Sequence, residues 1–166
     1  MDTQLTLVVE ASIQLELNVA DLYAVFHNAF PKHADFWWKL RLEERNHAAL
    51  IRSAQEQFDP VGKFPVDLIS SQLSEITEVN RKLSLLIDKY GEEAPSEAEA
   101  FSVALLLEQS AGEVHYQKFM DADAEQGSGC RLCAVFQQLN ERDKDHAKRI
   151  QDQMDSHGIP TISVDF

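Results

Sequence analysis

Residues 37–51 read WWKLRLEERNHAALI and carry an acid and a histidine within an apolar helical pattern. Residues three or four positions apart share one face of a helix. The face defined in this way combines large hydrophobes with two polar groups: Trp37, Leu40, Glu44, His47 and Ile51. Because Glu44 and His47 lie inside this stripe, we predict that both point into the seam between packed helices.

The same pattern recurs 99 residues later, where residues 136–150 read FQQLNERDKDHAKRI. The matching face contains, in the same order, Phe136, Leu139, Asp143, His146 and Ile150. Chance alone supplies about one acid-x-x-His motif in a chain with this many acids and histidines, so the spacing by itself carries little weight. The shared hydrophobic flanks predict that the two segments are equivalent helices of an internal repeat.

Each of these segments follows a helix that has an acid in the middle of its apolar face. Glu16 occupies this position in the first helix, and Glu108 occupies it in the helix that precedes the second segment. The residues one turn after these acids are small: Ala20, Ala111 and Gly112. Small side chains leave space in the seam for a group that is not a side chain.

The fold class follows from where glycine and proline fall. The chain has six glycines and five prolines, gathered at a few points between long stretches of good helix formers. We predict helices at about residues 2–30, 33–57, 66–90, 96–126 and 130–156. Residues 1–166 are then a single all-α domain, a four-helix bundle of two helix pairs with a long crossover helix between them.

Local signals mark two helix ends and one further contact surface. Ser96 with Glu99 matches a capping box, and Gly158 suits the left-handed position that ends a helix. The first helix also has a second apolar stripe, which consists of Val8, Leu15, Leu22 and Phe26. We expect the crossover helix or another subunit to cover this stripe, and it favours a homodimer.

The repeat brings four carboxylates and two imidazoles to one bundle core. Buried carboxylates without a counter-charge would protonate, whereas two divalent cations would balance all four charges. Oxygen-rich ligands with two nitrogens suit iron or manganese, and zinc is possible. The alternative is a buried network of ion pairs without metal. Glu43, which precedes Glu44, is expected to be a solvated surface acid.

Composition excludes several classes of function. The formal net charge of −13 disfavours nucleic acid and anionic membranes as partners. No apolar run approaches the roughly 18–20 residues that cross a bilayer, and the N-terminus lacks a basic segment typical of secretion. Cys130 and Cys133 do not make a disulfide framework, and their role stays open. We expect a cytoplasmic protein.

The chain resembles the rubrerythrin-like branch of the ferritin-like superfamily, in a short form without a rubredoxin domain. Over roughly residues 5–156, the resemblance rests on Glu16 with Tyr23, the run 44–48, Glu108 with Tyr116, and the run 143–147. It implies a ferritin-like fold and a dimetal site. The implied metal ligands are Glu16, Glu44, His47, Glu108, Asp143 and His146. Of these, Glu44 and Asp143 would bridge the two metals.

The resemblance also implies residues that support the ligands. Tyr23 and Tyr116 would orient the carboxylates, although both could equally be core aromatics. His115, on the same face as Glu108, would lie behind the ligands or in the core. Two features depart from the family: Asp143 is shorter than the usual Glu, and Ala111 replaces a further Glu.

Three functions are compatible with this site. The first is an oxidoreductase that acts on peroxide or dioxygen with two metal ions, iron first, and takes electrons from a separate donor. The second is an iron-binding or ferroxidase-type protein without peroxidase turnover, for which the acidic charge favours cation uptake. The third is a ferritin-like helical interaction module with an incomplete metal site, an alternative that Asp143 keeps open.

Overall fold

The computed structural model describes residues 3–58, 69–109 and 145–164, and these are all-helical, without strands. We number the helices in chain order. They are α1 (Thr3–Ala29), α2 (Ala34–Phe58), α3 (Ile69–Glu92), α4 (described over 97–109) and α5 (described over 145–157). The all-α prediction is confirmed. No helix within these described ranges is both long and apolar enough to cross a membrane.

A tight turn joins α1 to α2. The Phe30 N–H donates to the Phe26 carbonyl, and a 3₁₀ turn over Pro31–His33 follows. Proline suits the start of such a turn because its fixed φ is already helical and it has no N–H to satisfy. The short connection makes α1 and α2 neighbours, and α1 packs against both α2 and α3.

The predicted inward faces of α1 and α2 form the core. Every residue of the stripe that runs from Trp37 to Ile51 is buried, as are Glu16 and Tyr23 on α1. Trp37 lies against Phe101 of α4 and Tyr23 of α1, with ring centroids 4.6 and 5.5 Å apart. These aromatic contacts bring α1, α2 and α4 together beside the polar residues of the seam.

The second stripe of α1 is also buried within this chain. Val8, Leu15, Leu22 and Phe26 are all inaccessible to solvent, and α3 packs on α1. Two side-chain hydrogen bonds also join the two helices, since the Asn80 side chain donates to the Ala11 carbonyl and accepts from Asn18. The stripe was expected to be buried by the crossover helix or by another subunit, and the structure favours the crossover helix, α3. The stripe therefore gives no support for a homodimer.

The two predicted helix ends have different outcomes. The Ser96 hydroxyl accepts from the Glu99 N–H at 3.2 Å, so this half of the capping box is confirmed. The Glu99 carboxylate, however, accepts from the Tyr90 hydroxyl at 2.8 Å, which ties the end of α3 to the start of α4. Gly158 is confirmed as the left-handed residue after α5, with φ of 66°.

One buried histidine links the turn between α1 and α2 to the other helix pair. His33 lies 3.1 Å from Glu97 of α4 through Nε2, and its Nδ1 lies 3.1 Å from the Gln153 amide of α5. Burial lowers the pKa of His33, although Glu97 opposes that shift. A neutral imidazole fits this position, since it can donate from one nitrogen and accept at the other.

Candidate metal centre

Four helices contribute polar side chains to one place in the core. The residues are Glu16 from α1, Glu44 and His47 from α2, Glu108 from α4 and His146 from α5, and all five are buried. Glu44 and His47 meet because residues three apart lie on one face of a helix. The bulky residues of the same stripes are buried with them.

The first of two groups consists of Glu16, Glu44 and His47. Nδ1 of His47 lies 3.1 Å from Oε2 of Glu44 and 3.6 Å from Oε2 of Glu16. One ligand atom from each residue lies within 4.8 Å of the others. The group could hold a metal ion.

The second group consists of Glu44, Glu108 and His146. Nδ1 of His146 lies 2.8 Å from Oε1 of Glu44 and 3.4 Å from Oε2 of Glu108. This group could also hold a metal ion. Glu44 therefore belongs to both groups and turns one carboxylate oxygen toward each histidine.

The two histidines face each other across the shared carboxylate. The rings of His47 and His146 are nearly parallel, with centroids 5.3 Å apart and planes inclined by 12°. Each ring turns Nδ1 toward the acids of its own group.

The spacing of the ligand atoms fits metal coordination. Donors at about 2.1 Å from one ion are about 3.0 Å apart at a right angle and about 3.4 Å apart at a tetrahedral angle. The distances from histidine Nδ1 to the carboxylates span 2.8 to 3.6 Å. Oε1 of Glu44 and Nδ1 of His146 are both buried, yet within the described parts of the chain neither has a hydrogen bond of good geometry. Two ligand atoms that lie close together but make no well-aligned hydrogen bond can both direct their lone pairs at one position between them, where a cation would bind.

Electrostatics in the metal-free protein favour the charged form of both histidines. Burial alone lowers the pKa of His47, but Glu16 and Glu44 outweigh burial and raise it to about 10. In the same way, Glu108 and Glu44 raise the pKa of His146 to about 11. Burial and the charge of Glu44 raise the pKa of Glu108. Without metal, imidazolium protons therefore supply the positive charge. This state corresponds to the buried network of ion pairs that is the alternative to a metal site.

Tyr23 contacts this centre directly. Its buried hydroxyl donates a hydrogen bond to Oε1 of Glu108. The other oxygen of Glu108 is the one that faces His146. Tyr23 can thus fix the rotation of the Glu108 carboxylate and leave one oxygen for a ligand bond.

The expectation that Glu43 is a solvated surface acid is confirmed only in part, because the side chain is 37 % exposed but also contacts His146 and Arg149. Oε2 of Glu43 lies 2.9 Å from Nε2 of His146, on the side of the ring opposite Glu44. The guanidinium of Arg149 donates to both oxygens of Glu43. Burial raises the pKa of Glu43, but the hydrogen bonds and charge of Arg149 prevail and lower it. In the sequence, this role could have been suspected only from the adjacent acids Glu43 and Glu44, because the local pattern does not show which helix Glu43 faces.

The remaining predicted site residues lie outside the described residues. They are Asp143, His115 and Tyr116, together with Cys130 and Cys133. Their assignments stay predictions. Of the six predicted metal ligands, the structure brings together the other five.

Comparison of the chain with protein-family models, with curated proteins and with solved structures gave no match.

Proposed function

We propose that this chain is a ferritin-like dimetal carboxylate protein, with iron as the metal, that reduces peroxide or dioxygen. The observation that carries the proposal is the shared carboxylate of Glu44, whose two oxygens face two different histidines at 2.8 and 3.1 Å. A carboxylate placed between two acid–histidine groups can bridge two cations.

The donor set favours iron or manganese. The described groups contain three carboxylates and two imidazoles, and Asp143 would add a fourth carboxylate one turn before His146. Carboxylates suit manganese and imidazoles suit iron, whereas structural zinc is usually bound by four ligands. Two bound iron ions would supply one-electron redox steps to an oxygen-containing substrate.

The residues of this chain would prepare the centre for such chemistry. Glu16, Glu44 and Glu108 would compensate the positive charge of the ions, and the surrounding apolar stripes would exclude bulk water. Tyr23 would hold Glu108 in one orientation through its hydrogen bond. Reduction of one peroxide to two waters consumes two electrons and two protons, and we propose that a separate donor supplies the electrons.

A second candidate function is iron binding or ferroxidase-type handling without peroxidase turnover. The net charge of −13 favours it, because an acidic surface concentrates cations near the protein. Peroxide consumption separates the two candidates. After anaerobic loading with ferrous iron, peroxide should disappear catalytically when a chemical reductant is supplied. A single stoichiometric burst would indicate handling of iron alone.

Single histidine variants test the dimetal centre itself. We expect His47→Ala and His146→Ala each to reduce the metal content of the loaded protein by about one ion per chain, because each removes the histidine of one group. His157→Ala is the matched control, since this histidine is exposed and outside both groups. Unchanged metal content in both core variants would overturn the assignment.

A further inference from the structure

Two consecutive acids of α2 contact the two nitrogens of one imidazole. Oε1 of Glu44 lies 2.8 Å from Nδ1 of His146, and Oε2 of Glu43 lies 2.9 Å from its Nε2. Glu44 belongs to both candidate metal groups, whereas Glu43 belongs to neither. Among the described residues of the centre, Glu43 therefore contacts His146, through Nε2 of the ring.

An ion pair fixes the position and the charge of Glu43. Two guanidinium nitrogens of Arg149 donate to the two Glu43 oxygens, and Nε of Arg149 lies 3.0 Å from Asp145. A guanidinium that engages both oxygens of a carboxylate restricts its rotation. Glu43 is 37 % exposed, so this ion pair lies at the edge of the bundle, between the centre and solvent.

With a cation bound in the group Glu44–Glu108–His146, the contact with Glu43 would select one tautomer of the neutral imidazole. A carboxylate can only accept a hydrogen bond, so Nε2 must carry the proton that faces Glu43. The lone pair of the neutral ring is then on Nδ1, which faces Glu44 and Glu108. A carboxylate behind a ligand histidine also makes the ring a stronger donor to a metal ion.

This feature does not follow the sequence repeat. The position 99 residues after Glu43 is Arg142, a cation that cannot accept a hydrogen bond from an imidazole. The two halves of the centre thus differ in the residue that precedes the predicted bridging acid.

We propose that Glu43 is a positioning residue for His146 and strengthens the binding of a divalent cation by the group Glu44–Glu108–His146, with little effect on the group Glu16–Glu44–His47. This inference rests on the proposed dimetal function and adds a difference between its two sites. Loss of a residue of this kind typically lowers metal affinity about 10- to 100-fold.

The test is a titration of the metal-free, full-length protein with Mn²⁺, followed by calorimetry, in two backgrounds that each retain one histidine. In His47→Ala, where the ion can use only the His146 group, adding Glu43→Ala should weaken binding about 10- to 100-fold. In His146→Ala, the same addition should change affinity by less than about twofold. Glu43→Gln, whose amide oxygen can still accept from Nε2, should restore part of the loss in the first background.

Asp152→Asn is the matched control for the loss of an acid. Asp152 is also on α5, but it is exposed, pairs with Lys148, and makes no described contact with the His146 ring or with Arg149. It should leave both affinities unchanged. Equal weakening by Glu43→Ala in the two backgrounds, or no weakening in His47→Ala, would overturn the positioning role and leave the dimetal proposal in place.

The original protein gives an independent reading of the same effect. Its Mn²⁺ titration should show two binding steps, and Glu43→Ala should weaken one of them by the same factor. If one-histidine variants bind too weakly to measure, this comparison decides the question, and two unchanged steps would refute the inference. Absence of Mn²⁺ binding by the original protein would instead overturn the dimetal proposal, and the inference with it.

Discussion

Among the single residues, Glu44 makes the most distinctive contribution, because one side chain contacts both histidines. We predict that Glu44→Ala removes both ions, whereas Glu16→Ala removes mainly the ion of the His47 group. Metal content per chain, measured after Mn²⁺ loading and gel filtration, distinguishes these outcomes. Glu10→Ala, on the exposed side of α1, should retain both ions. Equal losses in Glu16→Ala and Glu44→Ala would contradict the bridging geometry.

The two core histidines predict how metal binding depends on pH. Their pKa values of about 10 and 11 in the metal-free protein exceed the ordinary value of 6.5. The stability that they provide is therefore complete below pH 6.5 and is lost as the pH rises through 10 to 11. Metal ligation needs the neutral ring, so binding near neutral pH should release about one proton from each histidine and tighten as pH rises.

Calorimetry in two buffers with different ionisation enthalpies measures this proton release. The difference between the two apparent binding enthalpies gives the number of protons per ion. His157→Ala should not alter that number, because His157 lies outside both groups. Binding without proton release, or binding that weakens as pH rises from 6 to 8, would contradict charged histidines in the metal-free centre.

Single residues also mark the limit of inference from sequence. Glu44 and His47 could be predicted because their position within an apolar stripe is encoded locally, and the repeat extended this to His146. The role of Glu43 could not be predicted, since it depends on α5 placing His146 and Arg149 against α2. Likewise, Ser96 caps α4 as its local signal indicates, but Glu99 takes a partner from another helix.

At the scale of the helices, local sequence determines where a helix ends, whereas long-range packing determines which helices become neighbours. At the end of α5, the Ile159 N–H donates to the Met154 carbonyl at 2.9 Å, and Gly158 adopts positive φ. These features form a Schellman motif, which Gly158 predicted. The second stripe of α1 predicted burial equally well, but not which surface would cover it. The cover proved to be α3, which packs on α1 and is joined to it by the hydrogen bond from Asn80 to the Ala11 carbonyl.

Two glycine substitutions should change stability in opposite directions. Gly158→Ala forces a side chain into left-handed backbone, which costs about 1–2 kcal/mol. Gly91 lies in the last turn of α3, has no positive φ, and a Cβ there meets nothing within 4 Å. Gly91→Ala should therefore stabilise the protein by about 0.4–1 kcal/mol, chiefly because it lowers the entropy of the unfolded chain. Urea denaturation measures both changes, and destabilisation by both variants would contradict the assigned backbone roles.

For the whole molecule, the sequence predicted an all-α chain with polar residues in its interior, and both features are present in the described ranges. The ferritin-like arrangement of the bundle stays a prediction. If cations hold the interior together, they must also stabilise the fold, because a ligand that binds only the folded state raises its free energy of unfolding. An ion at about 100 times its Kd should add roughly 2.7 kcal/mol. That corresponds to a rise in Tm of about 5–10 °C, which a chelator should reverse.

The most direct test of the central claim is the number of metal ions that the purified chain retains. The protein would be made metal-free, loaded anaerobically with ferrous iron, freed of excess metal and analysed for iron by elemental analysis. We predict two ions per chain, because each of the two Glu/His groups that share Glu44 can hold one ion. Retention of no iron would contradict the claim and would leave the interior acids neutralised by histidine protons alone.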